Sequence, residues 1–287
     1  MERNNHMETP RYIVITGGAR GIGRAVAEAF VKNGDRVLLI SRTLDELKKA
    51  KTELGSAVFI YDGDVSNPKD IKAIRAFIET TWQGHFDVLV NAAGIYGPIG
   101  PLEDNDFEKW MQTIAINFLG TVAMCQLAIP FMKKGGGGRI VNFSGGGDGA
   151  LPNFTAYSAS KRAVVGFTES LSAELKEYNI FVNAIAPGAV NTKFLDDLLA
   201  AGPDKVGKEI WERSVKQNQD GGQSPDKAAE LIVWLASPEA SGITGKYLSA
   251  VWDNYRDFPN HLEEIANSEI YNLRRVKPED RGKNWRK

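Results

Sequence analysis

The sequence predicts a single α/β domain built on one parallel, doubly wound sheet with helices on both faces. Three observations lead there. Short apolar, β-branched runs alternate with amphipathic stretches from Arg11 onward. The runs are continuous rather than alternating in and out, as strands buried on both faces are. A glycine-rich turn closes the first run, and right-handed crossovers then carry successive helices to the two sides of the sheet.

Taken in order, Tyr12–Thr16 (YIVIT) is a strand ended by glycines, and apolar residues at helical spacing predict a helix over Gly21–Lys32. Arg36–Ser41 (RVLLIS) is the next strand and Leu44–Leu54 the next helix. A strand at 57–61, a helix at 67–82 and a strand at 86–91 (FDVLVN) follow. Residues 107–132 read as one long helix, 139–143 (RIVNF) as a fifth strand, and 155–178 as a second long helix. A strand at 180–185, a less regular helical segment at 192–218, a helix at 225–236 and a last strand at 246–250 complete the pattern. Nothing splits it, so residues 11–250 are expected to form one domain. Residues 1–10 are polar and expected to be disordered. Residues 251–287 are aromatic, charged and weakly periodic, a tail expected to pack on the domain or on a neighbouring subunit.

The chain has 287 residues, 43% hydrophobic and 25% charged, as in an ordinary soluble protein with a large core. A net charge of −1 offers no cationic surplus for nucleic acid or an anionic membrane, so neither is expected as a partner. Cys125 is the only cysteine, so no intrachain disulfide forms, and the first ten residues lack the apolar stretch of a signal peptide. A cytoplasmic location is expected. The longest apolar run, around 114–132, is interrupted by Asn117, Gln126 and Pro130 and reads as a buried helix too polar to span a bilayer. His6, His85 and His261 are scattered without metal-ligand spacing, and no metal is expected.

The chemistry begins at Thr16-Gly17-Gly18-Ala19-Arg20-Gly21-Ile22-Gly23, directly after the first strand and opening the first helix. A pyrophosphate needs backbone N–H donors at close range and a helix N-terminus aimed at it, and glycines permit both. A second signal is Tyr157-x-x-x-Lys161. A phenol with a pKa near ~10 is a poor base at neutral pH, whereas an ammonium four residues on shares its helix face and favours the phenolate. Ser144 ends the fifth strand, at the carboxyl edge where such sheets bind ligands. Asn117 sits in an apolar stretch where an unpaired amide is costly.

The spacing Gly17-x-x-x-Gly21-x-Gly23 resembles that of the short-chain dehydrogenase/reductase family, and the resemblance runs from about Arg11 to Leu248. Further motifs stand in the family's order: Asn91-Ala92-Ala93-Gly94, Asn117, Ser144, Tyr157-x-x-x-Lys161, and Pro187-Gly188 with Thr192. The resemblance implies a Rossmann-type domain and a homodimer or homotetramer built on the two long helices. It also implies roles. Tyr157 is the general acid/base, and Lys161 assists it while holding the nicotinamide ribose. Ser144 hydrogen-bonds the substrate oxygen, and Asn117 supports a water linked to the lysine. Pro187, Gly188 and Thr192 fix the carboxamide, with Val190 contributing backbone only. Thr16, Ile22, Asn91, Ala92 and Gly94 complete the expected cofactor contacts.

The second strand ends in Ser41-Arg42 with no carboxylate until Asp45. Arg42 and Arg20, helped by the Ser41 hydroxyl, are expected to clamp a 2′-phosphate, so NADP(H) is expected over NAD(H). Asp64-Val65 matches the family position that contacts the adenine amine; Asp64 would equally serve to cap the helix beginning near Asn67. The expected activity is interconversion of a carbonyl and a secondary alcohol, with a small-molecule substrate. The alternatives are an NADP(H) sensor without turnover, or a sugar or nucleotide-sugar epimerase or dehydratase. Two departures from the family stand out. Phe194, Leu195, Leu198, Leu199 and Trp211 give 192–224 an apolar face that points to a partly hydrophobic substrate. The usual C-terminal end is replaced by a tail carrying Trp252, Tyr255, Phe258 and Tyr271, expected to cement a subunit interface or, alternatively, to cover the pocket.

Overall fold

The computed structural model describes residues 9–145 and 149–285; residues 1–8, on which most of the expected N-terminal disorder falls, lie outside them. The strands are β1 (Tyr12–Thr16), β2 (Arg36–Ser41), β3 (Val58–Asp62), β4 (Val88–Asn91), β5 (Gly138–Phe143), β6 (Ile180–Ala186) and β7 (Tyr247–Ser249). All pair in parallel, in the order β3-β2-β1-β4-β5-β6-β7. Strand order reverses between β1 and β4, so a crevice opens beyond their carboxyl ends, where sheets of this kind bind ligands.

The helices are α1 (Gly21–Lys32), α2 (Leu44–Leu54), α3 (Pro68–Thr81), α4 (Phe107–Ile114), α5 (Gly120–Gly135), α6 (Thr155–Leu175), α7 (Lys193–Ala201), α8 (Pro203–Val206), α9 (Lys208–Asp220), α10 (Pro225–Leu235) and α11 (Leu262–Ala266). Adjacent side chains on each strand enter opposite layers. Ile13, Ile15, Leu39 and Val90 pack with α1 and α10, while Val14, Leu38, Ile40 and Leu89 pack with α3 and α5. Burial on both faces explains the unbroken apolar runs.

The helix expected over 107–132 is continuous in direction but contains a π-turn at Ala115–Leu119 between α4 and α5. By length and composition 107–135 would also serve to cross a membrane, so Asn117, Gln126 and Pro130 do not disqualify it as the sequence reading holds. Here Met124, Cys125, Leu127, Ala128 and Met132 are buried. The irregular stretch 192–218 resolves into α7, α8 and α9, separated by Gly202 and Gly207 at φ 80° and 90°.

The tail packs on its own chain. Tyr255, Phe258 and Ile265 are buried, and the Tyr255 and Phe258 rings lie 5.3 and 5.9 Å from Trp234. Those two aromatics are therefore spent inside the chain rather than left to cement an interface, whereas Trp252 is exposed.

Candidate active site

The glycine turn is built for close approach. A Cβ on Gly17 would sit 2.9 Å from the Ala93 nitrogen, and one on Gly23 would strike the Gly17 carbonyl. Arg20, at the N-cap of α1, makes no side-chain cap, so the first-turn amides stay open to an anion. Thr16 Oγ1 accepts from Ala93 N at 3.1 Å and ties the end of β1 to the loop after β4. A cleft of about 850 Å³ runs from this turn past Ser41, Arg42, Ala92, Gly94, Ser144, Tyr157 and Pro187 to Gln217. Its amides, glycines and flanking arginines fit a dinucleotide.

At the glycine-turn end both arginines already have carboxylate partners. Arg20 Nη1 lies 3.0 Å from Glu46 Oε1, and Arg42 Nη1 lies 3.7 Å from Asp64 Oδ2. Asp64 Oδ1 accepts from the amide and hydroxyl of Ser66 at 2.8 and 2.6 Å. Asn67, not Asp64, caps α3 by accepting from Lys69 N. Val65 is buried, and a Cβ on Gly120 would meet it at 2.5 Å.

Three expected contacts stand behind the cleft wall. Besides Thr16, Asn91 turns into the core and donates Nδ2 to Asn142 Oδ1 at 2.9 Å, because its strand position faces α5. Asn117, buried in the π-turn, clamps one residue at both ends. Its Oδ1 accepts from Ile95 N and its Nδ2 donates to Ile95 O, each at 2.8 Å, while Nδ2 also reaches Ser160 Oγ at 3.0 Å. The Asn117 side chain is thus fully engaged in positioning the loop after β4.

Tyr157, Lys161 and Ser144 do meet on the wall, with Gly94 opposite. Lys161 Nζ donates to Phe143 O at 2.8 Å and lies 5.8 Å from the Tyr157 ring centroid. Ser144 Oγ donates to Lys161 O at 3.1 Å. A Cβ on Gly94 would fall 3.3 Å from Asn117 Oδ1, 3.5 Å from Lys161 Nζ and 3.7 Å from the Phe194 ring, so the loop after β4 lies directly against the lysine. Burial pushes the Lys161 ammonium down to about 8. It pushes the Tyr157 phenol up, and the neighbouring Tyr96 and Tyr247 phenols add to that. The expected depression of the tyrosine by the lysine is therefore outweighed in this state: desolvation acts on both groups, and Phe143 O holds the ammonium.

Pro187, Gly188, Val190 and Thr192 line the cleft. Thr192 caps α7 by accepting from Phe194 N, and its methyl group would lie 3.1 Å from a Cβ on Gly21. A Cβ on Gly188 would meet Val251 at 2.5 Å, so this segment rests on the start of the tail. Val190 bridges to Gln223. Sequence reading missed Glu46, Tyr96 and Ser160. Tyr96 carried a signal, its place two residues after Gly94 in a cofactor loop. Glu46 looked like any first-turn acid of a helix.

The chain matches the family model described as short chain dehydrogenase over residues 11–201. It belongs to the short chain dehydrogenase family. It is 34% identical to L-fucose dehydrogenase of Oryctolagus cuniculus over 238 residues, 82% of this chain and 81% of that protein. A solved variant of actinorhodin polyketide ketoreductase with NADPH superposes with a TM-score of 0.77 at 30% identity, covering 84% of this chain and 95% of that one. NAD+-bound xylitol dehydrogenase gives 0.75 at 25% identity, covering 83% and 96%. This short chain dehydrogenase is an oxidoreductase of a family that binds nicotinamide cofactors, with the family match ending at the close of α7.

Proposed function

We propose that the chain is an NADP(H)-dependent oxidoreductase that interconverts a carbonyl and a secondary alcohol, with Tyr157 as general acid/base. The observation that carries this is the meeting of Tyr157, Lys161 and Ser144 on one wall of a cleft whose other end is a phosphate-binding turn. When bound, the nicotinamide supplies or accepts the hydride. In the reductive direction the Tyr157 hydroxyl gives its proton to the developing alkoxide, so the carbonyl π bond is replaced by a C–H and an O–H bond. The phenol recovers its proton from solvent.

Burial raises the Tyr157 phenol, so it is protonated at neutral pH as a donor must be, though a weaker acid than a free phenol. Oxidation needs the phenolate. Lys161 promotes it when its ammonium turns from Phe143 O toward the phenol and the nicotinamide ribose, and Ser144 reaches the substrate oxygen by turning from Lys161 O. Asn117 acts through Ile95, fixing the loop that carries Gly94. A 2′-phosphate fits between Arg20 and Arg42, beside Ser41, as a stronger partner than the carboxylates they now hold.

Tyr157→Phe is expected to lower kcat at least about 1000-fold, the scale of a lost general acid. Its affinity for NADPH, read by the fluorescence of the bound reduced nicotinamide, should be unchanged. Turnover within tenfold of the parent would remove Tyr157 from the role.

A further inference from the structure

An aromatic patch stands beside Tyr157 on a cleft wall that also carries polar side chains. Tyr96 meets Tyr157 edge-on, with centroids 4.9 Å apart at 67°, and Phe194 in the same way at 4.7 Å and 71°. Behind it stands buried Phe154, 5.3 Å from Tyr96. Phe154, Leu198 and Val206 form a small buried cluster of their own, with Leu151 and Trp211 packed around it. Tyr96, Tyr157 and Phe194 are only partly buried and face the cleft.

The polar side chains that share this wall are largely engaged. Gln217 donates Nε2 to Asn191 Oδ1 at 3.0 Å, Lys193 pairs with Asp197 at 3.0 Å, and Ser214 Oγ donates to Ile210 O at 2.8 Å. Asp196 lies exposed at the rim. Burial and the Asp197 carboxylate hold the Tyr96 phenol up at about 12, so it is a neutral ring at working pH.

We propose that the substrate is a flat, predominantly apolar ketone, of the aryl or fused-ring class, together with its secondary alcohol, packed against the sides of Tyr96 and Phe194 that face the cleft. Polyhydroxylated sugars and polyols are disfavoured. This inference rests on the proposed carbonyl-reducing role of Tyr157. Aromatic edges and faces at these separations accept another ring by the same edge-to-face packing they use among themselves. A sugar hydroxyl laid on the ring faces gives up water for carbon, which offers it no equivalent hydrogen bond. A site of this kind discriminates by about tenfold or more for each such mismatch.

The test compares 1-tetralone with the open-chain keto sugar erythrulose, each reduced with NADPH. The parent should show kcat/KM at least about 100-fold higher for 1-tetralone. Tyr96→Ala and Phe194→Ala should each raise KM for 1-tetralone about tenfold or more while erythrulose is little affected; Tyr96→Phe should stay near the parent. NADPH fluorescence confirms that each variant remains folded, and if one Ala variant fails that check the other decides. Equal or better use of erythrulose overturns the inference. So does an unmoved KM for 1-tetralone in a folded Ala variant. Failure of the underlying reading looks different: no carbonyl is reduced, or Tyr157→Phe turns over like the parent, and either result overturns both.

Discussion

Glu46 stands beside Arg20, one of the two arginines proposed to select the coenzyme. Its carboxylate holds Arg20 at 3.0 Å and so competes with the 2′-phosphate proposed to bind there. Glu46→Gln should therefore strengthen binding of 2′,5′-ADP about 1.5-fold to fivefold, the value of one partly exposed ion pair, and leave 5′-ADP unchanged. Calorimetry on the two nucleotides reads this directly. Equal affinity of the parent for both would count against NADP(H) itself. Lys161 offers a second measurement. Its pKa is about 8 in the fold against 10.5 as the ordinary value. Between those two pH values the unfolded chain binds the extra proton, so stability rises with pH across that window. The unfolding free energy of the parent relative to Lys161→Met should move in the parent's favour by about 3 kcal/mol between pH 7 and pH 10. A flat difference would show that the lysine is not desolvated. The spacing of Tyr157 and Lys161 put both on one helix face and so was readable in the chain. Their mutual electrostatics were not, because the acceptor that holds the ammonium is a backbone oxygen, Phe143 O, at the end of the preceding strand, and no side-chain pattern marks it.

The helix running from α4 into α5 shows what periodicity leaves out. Its apolar pattern identified one long helix, yet the π-turn at Ala115–Leu119 is invisible in such a pattern, since it adds a single residue to one turn. That residue's worth of widening surrounds Asn117 and lets it clamp Ile95. Asn117→Leu leaves the Ile95 N–H and C=O without that partner, and should cost about 2–4 kcal/mol of unfolding free energy. Denaturant titration checks it; a loss under 1 kcal/mol would mean the clamp is dispensable. Strands and helices near the glycine turn were read almost to the residue, because Gly17, Asn67 and Pro68 mark their ends chemically. The stretch 192–218 was less legible. Its breaks at Gly202-Pro203 and Gly207 are plain in hindsight, but three short helices hold together only by packing on one another and on Phe154.

The strand order places the carboxyl ends of β1 and β4 beside each other, so residues from 16 to 217 share one crevice although the chain separates them widely. That convergence was foreseeable from the alternation of strands and helices alone, since handed crossovers leave few other arrangements. The destination of the tail was not. Aromatic residues in weakly periodic sequence pack equally well on their own chain or on another, and only Trp234, on α10, shows which surface receives Tyr255 and Phe258.

The tail also closes the rim of the sheet. Tyr271 O accepts from Tyr247 N on β7, and Lys246 Nζ donates to Ser268 O and Asn272 Oδ1. A protein cut short after residue 267 would present an uncovered outer edge on β7 with a stranded ammonium next to it, a template for another molecule's backbone. Such a truncated form should aggregate in a concentration-dependent way visible by light scattering, beyond whatever assembly the full chain forms; equal scattering by both would show that the last residues do not guard that border.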